Sequence, residues 1–231
     1  MCGRYVVTSP LDVLRLRFGF EGEAPPLRPR YNVAPLSEAP VVLAAEGGRR
    51  LVSMGWGLVP SWTKDLTEAR RPINARADTV AEKPSYRGPL RRSRAVVPAD
   101  GFYEWQARPG GRSKVPHLFR SRSGAPLGLA GLYDVWRSPD GGALRTFAIL
   151  TTEANPLVAR VHDRMPVLLS EEGEAVWLDP AVTDAARLAP FLVPFPASAM
   201  EGWPVAARVG NPTADGPDLV QPAGPPLPSI D

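Results

Sequence analysis

Twenty-eight of the 231 residues are proline, spread along the whole chain rather than gathered in one tract. Proline fixes φ and has no N–H to donate, so it ends helices and interrupts central strands. A chain punctuated this often must be assembled from many short elements, with few long helices. Between the prolines, apolar stretches predict strands over Arg4–Thr8, Val41–Ala45, Arg50–Ser53, Arg94–Val97, Gly101–Gln106, Leu127–Trp136, Ala143–Thr152 and Val205–Val209. The second and third are joined as a hairpin through Glu46-Gly47-Gly48. Helices are expected over Leu11–Phe18 behind Ser9-Pro10, over Ala75–Glu82, over Glu171–Leu178 behind the cap Ser170, and over Asp184–Leu188. Many strands with non-local pairing and few helices predict an α+β fold. The expectation is a single domain with a barrel-like, mostly antiparallel sheet and peripheral helices. No repeat or linker divides the chain, so the domain is expected over 1–222, with 223–231, rich in Pro and Gly, a disordered C-terminal tail.

The only cysteine is Cys2. A small side chain at position two permits removal of the initiator methionine, so the mature chain is expected to begin at Cys2. Such a terminus carries an amine with a pKa of about 7.7–8.0 next to a thiol with a pKa of about 8.5. The amine can condense with an aldehyde to an imine, and the thiol can then close a five-membered thiazolidine. A lone cysteine is also commonly a small buried hydrophobe. One cysteine and two histidines leave too few soft ligands for a structural zinc site, so neither metal nor other cofactor is expected. No run approaches the 18 or so apolar residues of a membrane span, and no signal peptide is visible. A reducing, cytoplasmic location is expected.

The formal net charge is +3. Its arginines cluster, with Arg70, Arg71 and Arg76 upstream of Arg87, Arg91, Arg92 and Arg94. Such a cluster suits bidentate contacts to phosphate, and equally suits a solvated surface.

Four segments set reactive or polar side chains in turn-like contexts: the N-terminus, Pro72–Asp78, Ala99–Trp105 and Val161–Pro166. Their residue chemistry alone leaves alternatives open. Glu104 reads as a solvent-facing strand residue or a functional acid, Asn74 as a turn former or an orienting amide, and His162 as a satisfied histidine or a proton carrier. Asp163 could face away and pair with Arg164. His117 reads as structural. At these positions the chain resembles the SOS-response-associated peptidase (SRAP) family. The ordered motifs are Met1-Cys2-Gly3-Arg4-Tyr5, Arg30-Tyr31-Asn32-Val33-Ala34-Pro35, Trp56-Gly57-Leu58-Val59-Pro60 and Ile73-Asn74-Ala75-Arg76. Gly101-Phe102-Tyr103-Glu104-Trp105, His162-Asp163-Arg164-Met165-Pro166 and Val209-Gly210-Asn211 complete the set. Each motif is weak alone; together they span nearly the whole chain. The loop around Ala107 to Pro116 looks like a variable region.

The resemblance implies a protein that senses abasic sites in single-stranded DNA and shields them through a covalent thiazolidine at Cys2. It implies Cys2, Asn74, Glu104 and His162 as catalytic residues. Glu104 would be the acid/base that helps open the sugar, Asn74 would orient Cys2 or the opened sugar, and His162 would move a proton or attend a phosphate. Arg4 and Arg76 are the implied phosphate ligands and Trp62 the implied stacking residue, following the usual pattern of single-strand binding. The partner would be single-stranded DNA containing abasic sites, bound by a monomer associated with the nucleoid. Two competing readings stand beside this one. In the first, Cys2 is the nucleophile of a thiol peptidase, with His162 its base and Asn74 the orienting group, acting only to release Met1 in one variant. In the second, the chain grips single strands without forming a bond.

Overall fold

Strand β10 (Ala143–Glu153) organises the molecule, because it is long enough to close a barrel at one end and carry a functional edge at the other. The computed structural model describes residues 2–108, 110 and 113–230. Met1, part of the Ala107–Pro116 loop and the last residue of the tail therefore lie outside the described residues.

The other strands are β1 (Arg4–Val7), β2 (Arg30–Val33), β3 (Glu38–Ala45), β4 (Gly48–Trp56), β5 (Asn74–Arg76), β6 (Arg94–Ala99), β7 (Gly101–Ala107), β8 (Lys114–Ser121), β9 (Leu127–Arg137), β11 (Arg164–Pro166), β12 (Leu168–Leu169) and β13 (Met200–Pro204). The helices are α1 (Leu11–Phe18), α2 (Pro84–Arg92), α3 (Glu171–Leu178) and α4 (Ala185–Leu188). Strands β4, β3, β6, β9 and β10 follow one another by hydrogen bonding, and a parallel pairing of β10 with β4 at Thr146↔Gly55 closes them into a five-strand barrel. Strand β6, buried at every position, is a barrel wall. A second, antiparallel sheet runs β13-β8-β7-β1-β2. The chain passes from barrel to sheet at Asp100, where the carboxylate accepts from the backbone and hydroxyls of Thr8 and Ser9. Gly101 is required just beyond, since a Cβ there would lie 2.7 Å from the Phe119 carbonyl oxygen.

One buried cluster fills the barrel and the space beneath the second sheet. Its centre is aromatic. Tyr5 of β1 meets Trp56 of β4 edge-on at 5.2 Å, and Trp56 stacks on Phe147 of β10 at 6.4 Å. These contacts fasten the N-terminal strand to the barrel. At the far end, Arg17 of α1 makes a two-pronged ion pair with buried Glu174 of α3.

Several expected elements fall differently. The helix expected over Ala75–Glu82 is instead strand β5 followed by turns, and the helix begins at Pro84. Residues 74–76 find an open edge on β10, pairing in parallel at Ile149↔Asn74 and Thr151↔Arg76, and that pairing overrides a weak local helical preference. The final strand is β13 on β8, not Val205–Val209. Residues 207–210 form a 3-10 turn whose carbonyls are turned towards Arg4 and Asn32. Ser9 does not cap α1, because its side chain is taken by Asp100. Prolines also enter strands, at Pro40, Pro98, Pro116, Pro166 and Pro204. Part of the tail makes contacts with the domain. Ala223 N–H donates to Pro204 O and Leu227 N–H to Gly202 O, and Leu227 and Ile230 pack on the core.

Candidate functional site

The C-terminal half of β10 leaves the barrel flanked by β5 on one side and β11 on the other. Strand β5 carries Asn74 and Arg76; the turn into β11 carries His162 and Asp163. Strand β7 faces this edge with Glu104, and β1 runs antiparallel to β7 at Arg4↔Tyr103 and Tyr5↔Phe102. Continued past Arg4, that register brings residues 2 and 3 alongside Glu104 and Trp105. Cys2, Asn74, Glu104 and His162 thus meet where barrel and sheet join.

Four hydrogen bonds set the geometry. Asn74 Nδ2–H donates to the Cys2 carbonyl oxygen at 2.8 Å. The backbone before Asn74 is held because Trp56 Nε1–H donates to Ile73 O at 2.9 Å, and the Tyr86 hydroxyl of α2 donates to Asn74 O at 3.1 Å. Asn74 Oδ1 is buried with no hydrogen-bond partner among the described residues. A buried, unsatisfied acceptor is unfavourable on its own and is suited to receive a donor from a ligand or a chain terminus. Across the site, Gln106 Nε2–H donates to Arg160 O at 2.8 Å and pins the turn that presents His162.

Glu104 is buried, with 1% of its surface exposed, and its Oε2 lies 3.9 Å from His162 Nε2. Burial raises its pKa to about 7, and the carboxylate of Asp163 pushes the same way. Glu104 can therefore both give and take a proton near neutrality. His162 is pushed below its ordinary 6.5, mainly by burial and against the pull of Asp163, so it is neutral there. Its Nδ1 lies 3.0 Å from Arg164 N, and its Nε2 faces Glu104. Asp163 Oδ1 is also 2.9 Å from Nδ1 and rewards a second proton on the ring when one arrives. The Cys2 thiol is raised far above its ordinary value, first by burial and then by the Glu104 carboxylate. Its Sγ lies 3.8 Å from Arg4 O.

The implied binding residues lie around this centre in different states. Arg76 forks onto Asp78, Nε at 3.1 Å and Nη2 at 2.7 Å, on the exposed rim. Arg4 is held within the fold. Its Nη1 donates to Asn32 Oδ1 at 3.0 Å and to Val209 O at 2.8 Å, and Nη2 to Gly210 O at 3.1 Å. Buried Asn32 donates to Val209, Asn211 and Ala214 carbonyls, so three distant motifs form one clamp. Trp62 is 64% exposed and lines a groove of about 860 Å³ with Lys64, Arg70, Arg71, Pro72 and Ser85. His117 is buried, with Nδ1 against Val115 O.

Residue chemistry alone passed over Asp78 and Thr151 and placed Arg164 only as a partner for Asp163. Arg164 does not pair with Asp163. It donates to Thr151 O and stands 4.0 Å from Asp78, and its Nε is buried without a partner among the described residues. The signal was present: Asp78 and Arg164 both lie within segments singled out for their turn-like polar residues. Among the described residues, no cluster of His, Cys, Asp and Glu could hold a metal ion, and no helix is long and apolar enough to cross a membrane.

Fold and site together define a single-domain α+β protein whose N-terminal segment is built into a cluster of an amide, an acid of raised pKa and an imidazole. The family model described as SOS response associated peptidase (SRAP) matches residues 1–212, and the chain belongs to that family. The abasic site processing protein YoqW of Bacillus subtilis is 39% identical over 223 residues, covering 96% of this chain and 99% of that one. The abasic site processing protein HMCES of Gallus gallus is 35% identical, covering 84% of this chain and 66% of its own. A crystal structure of a Bacteroides thetaiotaomicron protein superposes with a TM-score of 0.86 at 29% identity, covering 96% of this chain and all of that one.

Proposed function

We propose that this protein processes abasic sites in single-stranded DNA, and that it does so by forming a thiazolidine through Cys2 once Met1 has been removed. The names of its relatives support the first part. The observation that carries the second is the Asn74–Cys2 hydrogen bond, which anchors residue 2 beside an acid poised near neutrality.

The steps balance without a further reactant. Glu104 exchanges protons at the ring oxygen and anomeric hydroxyl of the closed sugar, exposing the aldehyde. The neutral Cys2 amine adds to the aldehyde carbon, giving a carbinolamine. Protonated Glu104 delivers a proton to its hydroxyl, which leaves as water, and the nitrogen returns its proton to the Glu104 carboxylate, leaving an imine. The thiol sulfur then bonds to the imine carbon while its proton passes to the nitrogen, closing the ring with net loss of one water. Ring closure is intramolecular and so enjoys a large effective concentration. Neutral His162, beside Glu104, relays protons or attends the neighbouring phosphate. Asn74 Oδ1 is available to the new amine. Arg4, Arg76 and Trp62 serve the strand on either side, Arg76 by exchanging Asp78 for a phosphate. On this reading the protein works as a monomer with chromosomal DNA in the cytoplasm.

The peptidase reading needs a thiolate at rest, and burial beside Glu104 opposes one. The experiment is Cys2→Ser. A serine terminus keeps the amine, so borohydride still traps an imine on abasic DNA, but no heat-stable adduct forms. Cleavage of a peptide that is lost in Cys2→Ser and indifferent to the aldehyde would favour the peptidase instead.

A further inference from the structure

Helix α2 carries positive charge that nothing in the fold uses. It contains no acidic residue, and Arg87, Arg91 and Arg92 are exposed, with exposed Lys83 at its N-cap. Among the described residues none of these four side chains makes an ion pair or a hydrogen bond. Arginines in a last helical turn are favoured by the helix dipole, which accounts for Arg91 and Arg92. It does not account for Lys83 at the positive end, nor for Lys83, Arg87 and Arg91 following one another at i, i+4 and i+8, an arrangement of mutual repulsion.

The placement of the helix gives the stripe a use. Tyr86 of α2 donates to the Asn74 carbonyl, so the helix is bonded to the strand that anchors Cys2. Ser85 lines the groove that also holds Trp62, Lys64, Arg70, Arg71 and Pro72, and Pro72 is two residues from Asn74. Arg92 is seven residues, two turns, from Ser85 and shares its side of the helix. The groove also contains Asp65 and Glu68, but the Asp65 carboxylate is engaged by Thr67. A path therefore runs from the Cys2 site along the Trp62 groove to Arg92, and Lys83, Arg87 and Arg91 continue it further round the exposed surface of α2.

We propose that α2 is a phosphate track for the strand flanking the lesion, extending the binding site beyond the groove. This rests on the reading that the protein acts on single-stranded DNA. Successive turns set Lys83, Arg87 and Arg91 about 6 Å apart along the axis, enough for each to meet its own phosphate. Arg70 and Arg71 bridge from the groove. An acidic protein partner would match the same charge but would not need the groove at its side.

The test measures binding of undamaged single strands, which requires no adduct and so stands apart from Cys2 chemistry. Wild-type affinity should rise as the oligonucleotide grows from about 4 to about 12 residues, the span of single-strand sites of this kind. In Arg87→Gln/Arg91→Gln/Arg92→Gln that gain should shrink at least several-fold. The slope of log affinity against log salt should become shallower by about 2, three phosphates at about 0.7 each. The matching triple Arg→Lys variant, which keeps the charge, should retain the wild-type slope and controls for misfolding; Arg87→Glu alone should weaken binding further than Arg87→Gln. A triple Gln variant with native thermal unfolding and an unchanged slope on the longer strand overturns the proposal.

Discussion

The side-chain amide of Asn74 donates to the main-chain carbonyl of Cys2 across 2.8 Å, and this bond ties the barrel to the first strand of the second sheet at the point where the proposed chemistry occurs. Asn74 reaches it from a three-residue strand that exists only because β10 outruns its barrel partners. The reactive residue is thereby held by a neighbour that the chain supplies 72 positions later.

Replacing Asn74 by Ala removes that anchor and leaves the strand pairing of β5 intact. Displacement of a reacting group by about 1 Å can lower a rate on the order of 100-fold. Cross-linking of abasic DNA by Asn74→Ala is expected to slow by about that factor, with binding of undamaged strand little altered. Rates from denaturing gels, set against native-gel affinities, check this; equal losses in both would mean Asn74 serves binding instead.

Glu104 sets the pH dependence. Its pKa is raised to about 7, so its acid form is lost as pH climbs through that value, while the Cys2 amine becomes nucleophilic as pH rises towards about 8. The cross-linking rate should therefore be bell-shaped, with its maximum between the two. Glu104→Gln should lower the maximum by about 100-fold or more and abolish the alkaline limb. Stability follows the same group. The folded state holds this proton where the unfolded chain does not, so stability is full below about pH 4.5 and declines as pH rises towards 7. Urea titrations of Glu104→Gln should lack that decline, and the same decline in the variant would remove Glu104 as its source.

On the proposed reading, Asp78 competes with the DNA. It occupies the Arg76 fork and lies near Arg164, whose Nε has no partner among the described residues. Asp78→Asn weakens that hold and removes a charge that repels phosphate. Affinity for single strands should rise several-fold, with the salt slope steeper by about 0.7 if one phosphate contact is gained. Weaker binding by Asp78→Asn would show instead that Asp78 positions the arginines productively.

How much was legible in the sequence depended on whether neighbours along the chain decide the structure. The β3–β4 hairpin, α1 and the Ser170 cap of α3 rest on local signals and formed as expected. Strand β5 and β13 were hidden, because each is made by an edge that another strand offers. The site residues were marked by unusual residue types in turn-like settings, and the family resemblance ordered them; their convergence needed the fold. Arg4 shows the limit most clearly. The resemblance implies Arg4 as a phosphate ligand, but its place in the fold was not legible, because both terminal nitrogens donate to Asn32 and to carbonyls 205 and 206 positions away.

That clamp makes Arg4 a stability residue as well. Hydrogen bonds involving a charged group contribute about 1.5–3 kcal/mol each when well formed, less where water reaches them. Arg4→Ala is expected to destabilise by about 2–3 kcal/mol and to loosen residues 207–214. Urea midpoints and amide exchange in that segment measure it. An unchanged midpoint would mean the clamp is not needed to hold the C-terminal segment.

The central claim is that a mature Cys2 terminus offers its amine and thiol together to an aldehyde. Intact-protein mass spectrometry after mixing with single-stranded DNA bearing one abasic site tests it directly. The account predicts a species that begins at Cys2, has the summed mass of protein and DNA less one water, and survives heating without reductant. A heat-stable adduct on chains that retain Met1, or on Cys2→Ser, with the summed mass of that chain and the DNA less one water, would contradict it.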